Sequence, residues 1–230
     1  MKIGIVVFPG TWSESDTFYA TKDILGFNTE YIWHKDQTLH GIDLVILPGG
    51  FSYGDYLRTG AIASFSPIIE QVIEFANKGG PVIGICNGFQ ILCESKLLPG
   101  ILIKNKKLSF VCEWSNLKVN NKSIFSSEYQ NNEIIKIPIS HGEGNYQADK
   151  SIINELESEN RIIFRYSSES GQINDSNNPN GSINNIAGII NKEGNVLGMM
   201  PHPEKASEKL IGGDDGLGIF KSVLKRVLND

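Results

Sequence analysis

Three signatures of nucleotide and metal chemistry are missing from this chain: it has no G-x-x-x-x-G-K-[ST] phosphate loop, no G-x-G-x-x-G fingerprint and no H-E-x-x-H helix. Neither nucleotide-driven nor metal chemistry is therefore indicated in the chain itself. Cysteine is scarce. Cys86, Cys93 and Cys112 form no C-x-x-C pair and no even framework, which points to free thiols in a reducing compartment. The residues begin directly in an apolar strand, Lys2 to Phe8, with no charged leader and far too few apolar positions to span a bilayer; a cytoplasmic location is expected. A formal net charge of -5 leaves no basic footprint for nucleic acid or an anionic membrane. Proteins and small molecules remain as partners.

What is present is a chain of 230 residues, 40% hydrophobic and 20% charged. That is enough to bury roughly 70% of its unfolded surface without a disulfide or metal staple. Residues 2–8 read as a continuously apolar strand broken by Pro9-Gly10, and 14–25 as a helix capped by Thr11 or Ser13 and ended at Gly26. Strands follow at 29–33 and 43–47. Ile62, Phe65, Ile69, Val72, Ile73 and Ala76 then carry a helix over 61–77. Residues 81–85 form a strand and 87–95 a helix. The order is that of a doubly wound α/β sheet, mostly parallel, whose ligands sit outside the carboxyl ends of its strands.

Residues 108–119 and 133–139 alternate between polar turns and read as added antiparallel strands. Two short strands at 186–190 and 195–200 and a helix at 217–228 close the chain. Gly212, Gly213, Gly216 and Gly218 read as a loop into that helix, and the asparagine-rich 174–185 as a solvated loop. With no repeat and no long linker, 1–230 is expected to be one domain.

The chemistry centres on Gly84-Ile85-Cys86-Asn87-Gly88. A thiol stands between a strand and a helix with glycines two residues to either side, the pattern of a nucleophile elbow. The helix beginning after Cys86 places free N–H groups and a positive dipole end beside the sulfur. The alternative is a buried cysteine ending a core strand, which would not require both glycines; Cys93, seven residues on, reads as core. His202 and Glu204, behind the strand 195–200 and stiffened by Pro201 and Pro203, suit a base and the carboxylate that orients it. His141 with Glu143 offers the same spacing and stays open as a rival base, whereas His34 and His40 read as surface residues. Pro48-Gly49-Gly50 is either a plain glycine-rich turn or an oxyanion site, with the N–H groups of Gly50 and Asn87 as donors.

These residues resemble the class I, triad-type glutamine amidotransferases. Pro48 to Asp55, Leu97 to Gly100, His141 to Gly144, Asn178 to Ser182 and Met199 to Glu204 narrow the resemblance to the family of glutaminase subunits of phosphoribosylformylglycinamidine synthase. The resemblance implies a flavodoxin-like fold, with Cys86 as nucleophile, His202 as base and Glu204 as its orienter. It implies L-glutamine as substrate, and makes the 141–144 and 178–182 loops surroundings of the site. It also implies two partners, a synthetase subunit carrying ATP and Mg and a small bridging subunit, with no cofactor or metal in this chain. Gln90, one helical turn beyond Cys86, is then expected to contact the amino-acid end of glutamine, against the plain reading of a helix residue facing water. A cysteine-elbow hydrolase or a glyoxalase- or chaperone-like protein of similar fold is the alternative.

Overall fold

The computed structural model describes residues 1–229; position 230, the last of the expected domain, lies outside them. Its centre is formed by strands that, apart from Lys2 at the start of the first, carry no polar side chain: β1 (Lys2–Val7), β3 (Leu44–Leu47), β4 (Val82–Ile85) and β11 (Val196–Met199). Every residue of the last three is buried, because helices cover both faces and leave no solvent side. β2 (Asn28–Trp33) buries only Thr29 and Ile32 and takes the edge beside β1. All five are parallel to their neighbours within this group, in the order β2-β1-β3-β4-β11.

Beyond β11 the sheet turns antiparallel through β10 (Ile186–Ile190), β9 (Ile162–Ser167), β6 (Val111–Val119) and β7 (Ile134–His141). The added antiparallel strands at 111–119 and 134–141 match the sequence pattern. β9 does not announce itself by alternation, since all six of its residues are buried. A helix, α4 (Lys150–Ser158), precedes it, and β5 (Ile101–Ile103) pairs with β8 (Asn145–Gln147) in a separate ribbon. None of these four elements is foreseen in the sequence reading. Among the described residues no helix is long and apolar enough to cross a membrane.

Two helices depart from expectation for local reasons. The first, α1 (Glu14–Phe18), widens into a π-helical segment over Tyr19–Ile24. Neither expected cap acts: Ser13 makes no side-chain cap bond, and the Thr11 hydroxyl accepts from Phe8 N at 2.8 Å. The expected helix 61–77 is a short turn, Ala63–Phe65, followed by α2 (Pro67–Asn77). Pro67 keeps Ser66 extended at φ -68°, ψ 142° and starts a new helix at its own first position. Phe65 is thereby turned out of the core and stands 86% exposed.

Helix α3 (Asn87–Glu94) packs unusually close to the sheet. A Cβ on Gly88 would lie 1.9 Å from the carbonyl oxygen of Leu47 in β3, and one on Gly84 would meet the Gly88 backbone at 2.7 Å. Both flanking glycines are contact points between backbones. Alanine is the better helix former by about 1 kcal/mol, but this clash is with main chain that cannot swing aside. Gly88→Ala should therefore lose about 1–3 kcal/mol or more, a fall of roughly 2–4 °C in Tm for each kcal/mol. Gly213→Ala, whose nearest neighbour would be 3.6 Å away, should melt like the parent in the same thermal scan. Equal melting of both variants would refute the close-contact account.

Candidate active site

β3, β4 and β11 are neighbours, so their carboxyl ends present three chain segments side by side: Pro48-Gly49-Gly50, Cys86 and Pro201-His202. Cys86 takes φ 52°, ψ -106°, a conformation costing on the order of 1–3 kcal/mol for a residue with a Cβ. It is held there because β4 and α3 are fixed on either side. Its N–H donates to Met199 O at 2.8 Å, tying the elbow to β11. Gly49 lies between the two reactive side chains: a Cβ there would be 2.6 Å from His202 Cε1 and 3.3 Å from Cys86 Cβ. Only glycine lets the thiol and imidazole draw this near.

His202 and Glu204 are buried, and Nδ1 of His202 lies 2.5 Å from Oε1 of Glu204. With its proton on Nδ1, the imidazole leaves Nε2 unpaired and buried. Burial opposes charge on this ring, but the carboxylate of Glu204 and then Cys86 outweigh it and raise the His202 pKa. The sulfur has not closed a hydrogen bond onto Nε2; it points to Ser140 O at 3.6 Å. That carbonyl belongs to β7, which is the far strand of the sheet yet curls back over the site, with His202 N donating to Pro138 O at 2.8 Å.

His141 is also brought in, in a different state. Asn180 Oδ1 accepts from Ser182 N and Oγ, which fixes the amide so that its Nδ2 faces His141 Nε2 at 3.4 Å. Nε2 must accept, so Nδ1 carries the proton, and it has no partner. Burial, helped by the neighbouring His202, lowers the His141 pKa to about 4. The spacing to Glu143 is not used: that carboxylate takes the Thr59 hydroxyl at 3.3 Å. Only one of the two histidines has a carboxylate partner.

Gly50 sits at φ 152°, with a Cβ position 2.6 Å from Trp12 N, so no side chain fits there. Asn87, first residue of α3, is buried and ties the Ser52 loop to the helix: its Oδ1 accepts from Ser52 N at 3.1 Å and its Nδ2 donates to Gln90 Oε1 at 2.8 Å, within α3. Gln90 in turn donates Nε2 to Glu143 O at 2.7 Å. Gln90 lines the site and does not face water, but its amide is already engaged by protein. A cavity of about 180 Å³ opens onto Cys86, walled by Gly50, Asp55, Gln90, His141 and Glu143 among others. A roomier hollow of about 420 Å³ near Gly100 and Ile152 holds neither thiol nor imidazole; size alone does not make it the site.

Three placements correct or extend the sequence reading. His34 is buried, its Nδ1 2.8 Å from the Tyr53 hydroxyl, whereas His40 is exposed as expected. The asparagine-rich segment is no simple solvated loop: Asn180 and Asn185 are buried and bonded to Gly144 O and Tyr166 O. Asp55 closes the Pro48–Asp55 segment that carries the family resemblance, but the sequence assigns it no role of its own. It has φ 55°, and its Oδ1 is buried without a partner. Burial, then the nearby Glu143, raises its pKa to about 6. Cys93 is buried and Cys112 exposed.

The family model of the CobB/CobQ-like glutamine amidotransferase domain matches residues 1–212. A phosphoribosylformylglycinamidine synthase subunit PurQ from Moorella thermoacetica is 54% identical over 97% of this chain and 95% of its own length. The PurQ subunit of Trichormus variabilis is 51% identical over 99% of both. Among solved structures, a chain of PurLQS from Thermotoga maritima superposes with TM-score 0.87 at 40% identity, covering 98% of each chain. A Thermotoga maritima glutamine amidotransferase, 17% identical over 100% of this chain and 99% of its own, superposes with TM-score 0.61 and shares the fold.

Asp55 lends itself to a test of stability. Its native pKa near 6 lies above the ordinary 3.8, so between those values the native state holds more protons than the unfolded one. Stability from this group falls as pH rises from about 4 to about 6, and the penalty stays constant above. Asp55→Asn should remove it, raising Tm by a few degrees at pH 7.5 and by nothing at pH 4. Calorimetric Tm values that ran parallel across this range would contradict the assignment.

Proposed function

The chain belongs to the glutamine amidotransferase family, and on that premise we propose that Cys86, His202 and Glu204 perform the hydrolysis of L-glutamine that this glutaminase subunit of phosphoribosylformylglycinamidine synthase contributes to purine biosynthesis. One observation carries the assignment. A strained, buried thiol shares Gly49 with an imidazole whose far nitrogen is held by a buried carboxylate.

Attack by sulfur on the side-chain amide carbon of glutamine makes a tetrahedral oxyanion. The N–H groups of Gly50 and Asn87 flank the nucleophile and supply its hydrogen bonds, each worth on the order of 10²–10³ in rate. His202, its basicity raised by Glu204, holds the proton taken from sulfur and gives it to the departing nitrogen as ammonia leaves. A cysteinyl thioester remains. Water, deprotonated by the same imidazole, then attacks the thioester, releasing glutamate and restoring the thiol.

The ammonia is for use elsewhere, in converting formylglycinamide ribonucleotide to formylglycinamidine ribonucleotide with ATP. In this proposal ATP and Mg belong to a synthetase subunit, joined to this chain with a small bridging subunit, and the location is the cytoplasm. The docking face is the carboxyl edge. Phe51 and Phe110 line the Cys86 cavity and are exposed, and Trp12 (73% exposed), Tyr56 and Leu57 (88% exposed) stand exposed on chain segments that also contribute to the site's surroundings; exposed apolar surface of this kind is characteristic of an interface.

Three substitutions test the chemistry in the presence of the synthetase subunit. Cys86→Ala should abolish glutamate release by at least about 10⁴-fold, and His202→Ala should cost as much, because the members of such a unit fail together. Glu204→Gln should cost less. Cys93→Ala and Cys112→Ala should stay active. A His141→Ala loss exceeding that of His202→Ala would reassign the base.

A second prediction concerns the partner. Alone, the chain should release glutamate slowly and make no amidine with ATP. Titrating in the synthetase subunit with ATP and the ribonucleotide should raise glutamate release. A rate already full without partner would make it a free-standing hydrolase.

A further inference from the structure

The turn after β3 carries the Gly50 N–H, and its direction is fixed from behind. Trp12 N and Ser13 N both donate to Gly49 O at 3.0 Å. Because a peptide unit is planar and trans, a carbonyl held by that loop aims the Gly50 N–H away from it, and Gly50 lines the cavity beside Cys86. The residues that follow are laid across the carboxyl end of β1: Phe51 N donates to Gly10 O at 2.9 Å and Tyr53 N to Pro9 O at 2.7 Å. Tyr53 then stands at φ 55°, ψ 26°. A residue with a Cβ keeps such a left-handed conformation only where its surroundings over-determine it.

Tyr53 is held by its side chain. Its hydroxyl reaches past β1 to the segment after β2, 2.8 Å from His34 Nδ1 and 3.2 Å from Ser66 Oγ, and its ring stands edge-on to the imidazole with 5.6 Å between centroids. His34 and Ser66 are buried, and the Ser66 hydroxyl, 3.5 Å from the same Nδ1, bonds no N–H of the helix it precedes. The other imidazole nitrogen, Nε2, is buried without a partner. A half-satisfied polar cluster is a poorer packing element than an apolar ring of the same shape. Stability therefore does not account for it, whereas holding the turn does. Neither His34 nor Tyr53 lines the Cys86 cavity.

Resting on the glutaminase reading, in which the Gly50 N–H meets the oxyanion, we propose that Tyr53 is a positioning residue for the hydrolysis: its hydroxyl, pegged to His34 and Ser66, keeps the oxyanion turn in its strained form. Without that oxygen the turn is free to relax toward ordinary backbone, and the Gly50 N–H moves with it. The effect falls on the transition state, because a neutral amide makes little use of an oxyanion donor and the tetrahedral intermediate depends on it. Substrate binding and the thiol itself are left as they are.

The experiment uses the chain saturated with its synthetase subunit and follows glutamate release over a glutamine titration. In parallel, iodoacetamide alkylation is followed on the Cys86 peptide, since Cys112 is exposed as well; this displacement at saturated carbon forms no oxyanion. Tyr53→Phe keeps the ring and removes one oxygen. It should lower kcat about ten-fold or more, with KM within about two-fold of the parent, and leave the alkylation rate within about two-fold. His34→Phe, which lacks the ring nitrogen, should fall to the same level, and the double variant no lower than either single one. His34→Asn, whose amide sits where Nδ1 does and can accept or donate, should bring kcat back to within about three-fold of the parent. An unchanged kcat in Tyr53→Phe, a loss confined to KM, or an alkylation rate that falls in step with kcat would overturn the proposal while leaving the glutaminase reading in place. A parent complex that releases no glutamate would overturn both. If a His34 variant does not fold, Tyr53→Phe with its thermal melt still decides.

Discussion

The backbone of Gly88 rests against the carbonyl of Leu47 so closely that no side chain can come between them, and the site depends on this contact. Because α3 cannot retreat from β3, the single residue joining β4 to α3 must reverse the chain within its own φ and ψ, and Cys86 bears that strain. The same contact fixes the sulfur over the carboxyl edge, beside the Gly49 turn of β3 and the His202 turn of β11. Strand order does the rest. Three segments remote in sequence meet because β3, β4 and β11 are adjacent and parallel.

The charge pattern around the thiol is asymmetric. His202 is drawn toward protonation by a buried carboxylate, and His141, a few residues away in space, is held neutral by burial and by its neighbour. Two imidazoles in one pocket could not both be charged without large repulsion, and the fold resolves this by giving a carboxylate to only one of them. The distinction rests on what each adjacent glutamate reaches. Glu204 reaches back to its histidine because the turn at Pro203 is tight; Glu143 is carried past Gly142 to Thr59.

Much of this was legible in the sequence, for physical reasons that differ by element. Apolar runs bounded by glycine or proline marked β1, β3, β4 and β11, and with them the positions of Cys86 and His202. The strand β9 escaped notice because a fully buried strand carries no alternation, and helix α4 because it is only nine residues long and mostly polar, although Ile152, Ile153 and Leu156 do stand at helical spacing. Phe65 obeyed helical spacing, yet Pro67 overruled it. Asp55 ends a segment that pattern did pick out, but its own character could not be read from that pattern. Its character comes from a cavity assembled by loops some ninety positions apart along the chain, at 55 and 143, and from the absence of a partner, which no spacing encodes. Gln90 lies one helical turn beyond Cys86 and lines the cavity, but its bond to Glu143 O depends on a loop whose path the sequence does not disclose.

The chain has two Asn-Gly dipeptides, Asn87-Gly88 and Asn180-Gly181, and both adjoin the site, one directly after Cys86 and the other against His141. This pairing is the one in which an asparagine side chain most readily cyclises onto the next backbone nitrogen, losing its amide, and asparagine is among the thermolabile residues for that reason. In the fold both amides are anchored and buried, Asn87 between Ser52 N and Gln90, Asn180 among Ser182, Gly144 and Tyr166, while the Gly181 N–H is occupied by Asn178 Oδ1 at 2.8 Å. Cyclisation requires releasing those bonds. Chemical ageing of this protein is thus gated by its opening: a molecule that unfolds briefly and refolds risks returning with a carboxylate where the site was built around a neutral amide. The record of past unfolding would be written into the elbow and the asparagine loop before anywhere else.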